Sequence, residues 1–65
     1  MEIGDKLVVL LPHHFQVADG VGPFIHAVVA DLSEDDTAVL VDYDTPNGRR
    51  DAWIDMHNLD CYYVD

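Results

Sequence analysis

Residues 37–54 read TAVLVDYD, TPNG and RRDAWI, and this order predicts a β-hairpin. Two runs rich in β-branched and aromatic residues flank a cluster of turn formers, so the tip is expected at residues 46–48. The first run alternates apolar and acidic residues from Val41 to Asp44, and the period of two in a strand places Val39, Val41 and Tyr43 on one face. The rest of the chain can be arranged around this hairpin.

The remaining segments predict an all-β protein with five short strands. Strands are expected at residues 6–11, 24–32, 37–43, 50–54 and 61–64. Residues 12–23 contain two prolines and two glycines and predict a long irregular loop, while residues 33–36 predict an acidic turn. Asp55 is expected to cap a single helical turn over residues 56–58, which brings Leu59 into the core. Because no window shows an apolar period of helix length, helix content should be negligible.

The chain length sets the size of the core. All 65 residues fit one domain, 1–65, with a thin core of a size that rarely supplies more than about 3–5 kcal/mol of stability. A single cysteine, Cys61, provides no disulfide to reinforce that core. Self-association, for example as a homodimer, is therefore one expectation.

Charge narrows the choice of partner. Thirteen acidic residues against three Lys and Arg give a formal net charge of -10, which repels nucleic-acid backbones and excludes direct nucleic-acid binding. The hydrophobic fraction of 49% is too high for a disordered acidic tail. The longest clean apolar run, residues 7–11, is too short to span a membrane or form a leader, so a reducing cytoplasm is expected.

Several short matches support a resemblance to a known fold class. They are Gly4-Asp5-Lys6, Asp19-Gly20 before Phe24, Ala27-x-Val29, Val41-Asp42-Tyr43, and Ile54 with Leu59. Together with the order of strands and turns, these pieces resemble an SH3-like barrel, and within that class they look most like the Tudor-type barrels. The resemblance implies a five-stranded barrel with a one-turn helix before the last strand.

Tudor-type barrels that recognise methylated lysine or arginine hold the cation in an aromatic cage. By this resemblance the cage positions fall on His13 or His14, Ile25, Leu40 and Tyr43, of which only Tyr43 carries the expected ring. Thr45 stands at the position where an asparagine usually follows the cage residues in Tudor-type barrels. A recognition module for a cationic side chain, using Tyr43, Phe24 and the first loop, is one functional alternative, and a structural subunit of a larger complex is another.

Trp53 has two possible placements, which depend on the turn at the hairpin tip. A two-residue Asn47-Gly48 turn sets Val39 and Val41 beside Ala52 and Ile54 and leaves Trp53 outside, whereas a bulged turn shifts the register and brings Trp53 inward. We prefer the first register, because the second would also bury two unpaired aspartates. Trp53 would then lie on the outer surface with Leu40, among aspartates.

This surface is the predicted partner-binding site. An apolar spot ringed by acids suits a basic, partly apolar partner, and carboxylates spread along strands can imitate the phosphates that a nucleic-acid-binding protein recognises. The predicted binding residues are Leu40, Asp42, Tyr43, Asp44, Asp51 and Trp53, with Glu34, Asp35 and Asp36 of the acidic turn. The chain is thus expected to be a non-enzymatic module, an inhibitor or regulator, that docks on a basic protein surface.

Catalytic and metal-binding motifs are absent from the sequence. The four histidines and Cys61 have no spacing that matches a zinc site, and no cofactor or metal is predicted. Ser33 and Cys61 are the strongest nucleophile candidates, yet neither lies in an elbow, a redox pair or a triad.

Overall fold

The computed structural model describes residues 1–64, with every side chain among them except those of Phe15 and Asp19. The chain forms five strands, one short α-helix and one 3-10 turn. In chain order these are β1 (Lys6–Leu10), α1 (His13–Asp19), β2 (Phe24–Leu32), β3 (Ala38–Thr45), β4 (Gly48–Asp55), the 3-10 turn (Met56–Asn58) and β5 (Cys61–Tyr63).

The five strands form one antiparallel sheet in the order β4-β3-β2-β1-β5. Consecutive strands therefore pair as hairpins, and only β5 returns to pair with β1. The all-β class fits this architecture. Closure into a barrel is not seen, because β4 and β5 are the two edges of the sheet and do not pair with each other within residues 1–64.

One hydrophobic core lies on the inner face of the sheet. Val39, Val41 and Tyr43 contribute one face of β3, as their alternation predicts, and Ala52 and Ile54 join them from β4. The register of β2 against β3 shifts between Val29 and Asp31, a β-bulge that bends the long second strand. The other core members are Leu7, Val9, Leu11, Ile25, Ala27 and Val29.

The first connection contains a helix that the sequence analysis did not predict. Residues 13–19 form α1, where an irregular loop and negligible helix were expected. Gly20 ends this helix in the left-handed conformation, with φ 67°, and its N–H donates to the carbonyl of Gln16 at 2.9 Å. The Asp-Gly pair is therefore a helix stop rather than a loop turn. With about two turns, the helix is too short to show an apolar period.

The hairpin tip lies one residue earlier than predicted. Thr45 pairs with Gly48, so the loop consists of Pro46 and Asn47 rather than of Asn47 and Gly48. The Thr45 hydroxyl accepts from the Asn47 N–H at 3.1 Å and donates to the Gly48 carbonyl at 2.7 Å, which stabilises this tighter tip. As a result β3 and β4 are each longer than predicted, at residues 38–45 and 48–55.

The 3-10 turn confirms the predicted cap. A carboxylate oxygen of Asp55, Oδ1, accepts from the N–H of His57 at 2.9 Å, as a residue before a helical turn commonly does. Leu59 follows, partly buried against the core. This turn carries the chain from the β4 edge to β5 at the opposite edge.

Candidate partner-binding surface

The outer side of the β3–β4 hairpin carries a surface that we call the hairpin face, formed by Leu40, Asp42, Asp44, Asp51 and Trp53. The register pairs Leu40 with Trp53 and Asp42 with Asp51 across the two strands. Because side chains alternate along a strand, these residues point away from the buried Val39, Val41, Ala52 and Ile54. The hairpin face is therefore the solvent side of the strands that supply much of the core.

Trp53 lies outside, in agreement with the preferred register. Its side chain is 49% exposed, and it stands directly opposite the half-buried Leu40. In the predicted register and in the observed one, odd-numbered residues of β3 pair with even-numbered residues of β4. The inner and outer faces of the hairpin are therefore the same in both, although the tip lies one residue earlier. About half of the indole packs against the sheet and half is exposed, so Trp53 gives this face a large, rigid apolar side chain.

Asp42 and Asp51 oppose each other directly on the two strands. The Met56 N–H donates to the Thr37 carbonyl at 2.8 Å, and because bonded and non-bonded pairs alternate, this bond makes the Asp42–Asp51 pair a non-hydrogen-bonded one. Side chains approach most closely in such pairs, and like charges there destabilise the sheet. The hairpin face thus concentrates negative charge at a cost to the fold.

The end of the hairpin face near the tip carries a weak ion pair. Arg49 Nε lies 3.9 Å from Asp44 Oδ1, and the two side chains are 62% and 86% exposed. At that exposure the pair contributes little to stability, because water and salt screen it. Asp44 therefore keeps most of its ability to interact with an incoming cation.

Tyr43 was predicted to belong to the binding surface, and the structure corrects this assignment. Its ring is only 2% exposed and lies in the core, because Tyr43 shares the inner face with Val41. Of the other cage positions, Ile25 is also buried, while His13 and His14 are exposed and Leu40 is half-buried. These side chains do not form an aromatic cage. Phe24, at 53% exposure, remains on the surface at the start of β2.

The acidic turn is held by its own hydrogen bonds. Asp35 Oδ1 accepts from the hydroxyls of Thr37 at 2.7 Å and Ser33 at 3.0 Å, and these bonds, with the Thr37 N–H, hold the pKa of Asp35 below its ordinary value. Asp36 adopts the left-handed conformation, with φ 58°, that closes the turn. Glu34, Asp35 and Asp36 are all exposed, and among them the Asp35 carboxylate is the one that accepts hydrogen bonds within the turn.

A groove beside β4 was not predicted from the sequence. It has a volume of about 630 Å³ and separates the end of β4 from the segment that joins β1 to α1. Its floor and walls include Leu10, Leu11, Pro12, His13, His14, Gln16, Trp53, Ile54, Asp55 and Asn58. The sequence signal for it would have been the Gly20 helix stop, since α1 forms one wall.

The cysteine and histidines do not form a chemical site. Burial, and then the neighbouring Asp60 charge, raise the pKa of the Cys61 thiol, which disfavours the nucleophilic thiolate. Within residues 1–64, no three His, Cys, Asp or Glu side chains come together in a way that could hold a metal ion. No helix in this part of the chain is long and apolar enough to cross a membrane.

Comparisons of the chain with models of protein families, with curated proteins and with solved structures find no match. The surface features that bear on function are the hairpin face, the acidic turn and the groove.

Proposed function

We propose that this protein is a small, acidic, non-enzymatic binding module whose hairpin face docks on a basic surface of a partner protein. The observation that carries the proposal is the exposed Trp53, set beside Leu40 and bordered by the carboxylates of Asp42 and Asp51. The chain as a whole carries a formal net charge of -10, which favours a cationic partner.

The arrangement divides the work of binding between two kinds of group. A large aromatic side chain that becomes fully buried on docking is the type of residue that dominates binding energy. Charges at the rim contribute mainly to the rate and specificity of encounter. On this face Trp53 would supply the anchor, while Asp42, Asp44 and Asp51 would steer the partner.

The facing carboxylates of Asp42 and Asp51 support the same proposal. Two like charges opposite each other destabilise a hairpin, so folding alone gives no reason for the pair. A lysine or arginine from a partner, placed between the two carboxylates, would turn this repulsion into attraction. The pair would thus contribute more in the complex than in the free protein.

The partner that we favour is a nucleic-acid-binding protein, which this module would inhibit or regulate. Carboxylates at alternate positions of a strand, such as Asp42 and Asp44, are about 7 Å apart and form a negative row. A groove built for phosphates would accept such a row. We further propose that the sheet is a variant of the SH3-like barrel and that the protein acts in a reducing cytoplasm, where Cys61 stays a thiol.

A methyl-cation cage is not proposed, because Tyr43 and Ile25 are buried. A structural subunit would bind through apolar contacts that salt does not weaken. Docking on a basic surface and assembly as a structural subunit therefore differ in how binding responds to ionic strength.

Affinity capture from a native lysate, eluted by a salt gradient, tests the proposal. The expected partner is basic and elutes as salt rises, and duplex DNA should compete with the protein for it. Trp53→Ala should weaken capture, whereas Tyr62→Ala, which removes another exposed aromatic ring on β5, should leave it unchanged. A partner that resists salt and DNA would favour the structural subunit and contradict the proposal.

A further inference from the structure

The sheet leaves one long edge open at β4. Within residues 1–64, β4 pairs only with β3, and no other strand lies along its second side. The bond from the Met56 N–H to the Thr37 carbonyl shows that even-numbered residues of β4 bond to β3. By the alternation of an antiparallel ladder, the N–H and C=O groups of Asp51, Trp53 and Asp55 point to the open side.

The groove lies along this open side. Three consecutive β4 residues line it, namely Trp53, Ile54 and Asp55. Trp53 and Asp55 belong to the outer face and Ile54 to the inner face, so a single groove can reach all three only from the edge of the strand. The backbone groups of Trp53 and Asp55 therefore face the groove, and those of Asp51 continue the same edge beyond it.

The opposite wall of the groove is built as a fixed structure. Gln16 on α1 donates from Nε2 to the Leu11 carbonyl at 2.6 Å, which ties the helix to the end of β1. Gly22 has φ +101°, and a Cβ at that position would lie 2.9 Å from Cγ of Gln16. The glycine thus leaves room for the Gln16 side chain in the position where it bonds to Leu11.

The lining of the groove indicates the chemistry of its occupant. Leu10, Leu11, Pro12 and Ile54 make the floor apolar, and about 630 Å³ is within the usual range of about 300–1,000 Å³ for a binding site. Asp55 lines the groove, and its Oδ1 accepts one bond from His57. A carboxylate has further acceptor capacity for a cation.

From the open edge and the groove together, we infer that β4 binds an extended, basic segment of the partner protein as an added strand. This inference rests on the proposed function and names the part of the partner that enters. The added strand would bond to the backbone of Asp51, Trp53 and Asp55, as in other cases of strand addition. Its apolar side chains would fill the groove, and its lysines or arginines would meet Asp55 and the hairpin face.

Charge favours this occupant over a second copy of the chain. Two copies would bring together two bodies that each carry a formal net charge of -10, and this overall charge opposes a dimer although β4 itself balances Asp51 and Asp55 with Arg49 and Arg50. The negative charge of the protein would attract a basic segment, whereas it would repel a second copy of the chain. A dimer through β4 is therefore an outcome that the test must detect.

A short synthetic peptide that alternates lysine with valine is the probe. Two measurements detect binding, the fluorescence emission of Trp53, which is the single tryptophan, and amide hydrogen exchange. The matched control peptide is N-methylated at alternate backbone nitrogens, which blocks pairing along one edge but keeps every charge. Methylation should weaken binding about tenfold, the effect of roughly one or two lost hydrogen bonds. The amides of Asp51, Trp53 and Asp55 should gain protection, while those of Ala52 and Ile54 are protected beforehand.

A matched pair of variants tests the charge. Asp55→Asn keeps the oxygen that caps the 3-10 turn but removes the carboxylate from the groove, and it should weaken peptide binding severalfold. Glu34→Gln removes one exposed charge from the acidic turn, outside the groove, and should have little effect. Equal losses in both variants would assign the effect to overall charge and overturn the role of the groove.

The remaining outcomes separate this inference from the function on which it rests. Equal binding of the methylated and unmethylated peptides would overturn strand addition and leave docking on a basic partner intact. No binding of the lysine–valine peptide up to about 1 mM would also overturn it. A sedimentation result that shows a dimer, with the β4 edge amides protected before any peptide is added, would assign the edge to a second copy.

Discussion

Replacing Asp51 by asparagine should stabilise the free protein. Asp51 and Asp42 form a directly opposed, non-hydrogen-bonded pair whose Cβ atoms should lie about 4.5–5.5 Å apart. Two unit charges at about 5 Å repel by roughly 0.8 kcal/mol in bulk water. Because Asp51 is exposed and salt screens the pair, a gain of about 0.5 kcal/mol in the free energy of unfolding is the reasonable expectation at low salt.

Urea unfolding, with the fluorescence emission of Trp53 as the signal, measures this gain in the free energy of unfolding. Asp51→Asn and Asp42→Asn should each stabilise the fold, and the double variant should add little, because the first change already removes the repulsion. Glu34→Gln lowers the net charge equally without touching the pair, so it measures the general effect of charge. At about 1 M salt, where the Debye length is about 3 Å, the gain should disappear.

An Asp51→Asn change that stabilises the protein no more than Glu34→Gln at low salt would contradict this prediction. That result would mean that the two carboxylates do not repel each other measurably, and it would remove the energetic reason to expect a cation between them. A gain that persists in high salt would point instead to local strand propensity.

Three further predictions concern the fold. Val41→Asp should unfold the domain because it buries an unpaired charge, whereas Leu40→Asp, on the outer face, should cost less than about 2 kcal/mol; circular dichroism distinguishes them, and equal damage would contradict the face assignment. Hydrogen bonds lower the pKa of the Asp35 carboxyl below its ordinary value of 3.8. The carboxylate therefore stabilises the turn above pH 3.8, and this stabilisation is lost as the pH falls through the lower pKa of the folded state. An NMR titration of Asp35 with a midpoint at 3.8 or higher would refute this. Gly22→Ala should cost about 1–3 kcal/mol in urea unfolding, since its φ is +101° and the new Cβ would meet Gln16; an unchanged midpoint would contradict that packing.

The sheet could be predicted from sequence largely because its strands have clear faces, although several of their ends differ from the prediction. Residues 24–32 are β2 as predicted, and the inner positions of β3 follow directly from the alternation of Val39 and Val41 with Leu40 and Asp42. Burial of two aspartates would have been so unfavourable that Trp53 could be placed outside from charge alone.

Other features depend on contacts that a local pattern does not contain. The Tudor-type resemblance places the ring of Tyr43 in a surface cage, whereas the strand face that Tyr43 shares with Val41 predicts the burial that the structure shows. Helix α1 is too short for periodicity to show it, and its Gly20 cap was interpreted as a loop turn. The groove forms because α1 and the end of β4 come together in the folded chain, and the Gly20 helix stop could have indicated α1 but not its approach to β4.

The central claim is that the hairpin face binds a basic protein surface, and the salt dependence of that binding tests it most directly. The captured partner, once purified, is titrated into the protein while Trp53 emission is followed, from about 50 mM to about 500 mM salt. We expect the emission to shift to shorter wavelength as the indole is buried, affinity to fall steeply with salt, and the slope to be shallower for the Asp42→Asn, Asp51→Asn double variant. An affinity that does not change with salt, or an emission spectrum that does not move on binding, would contradict the claim.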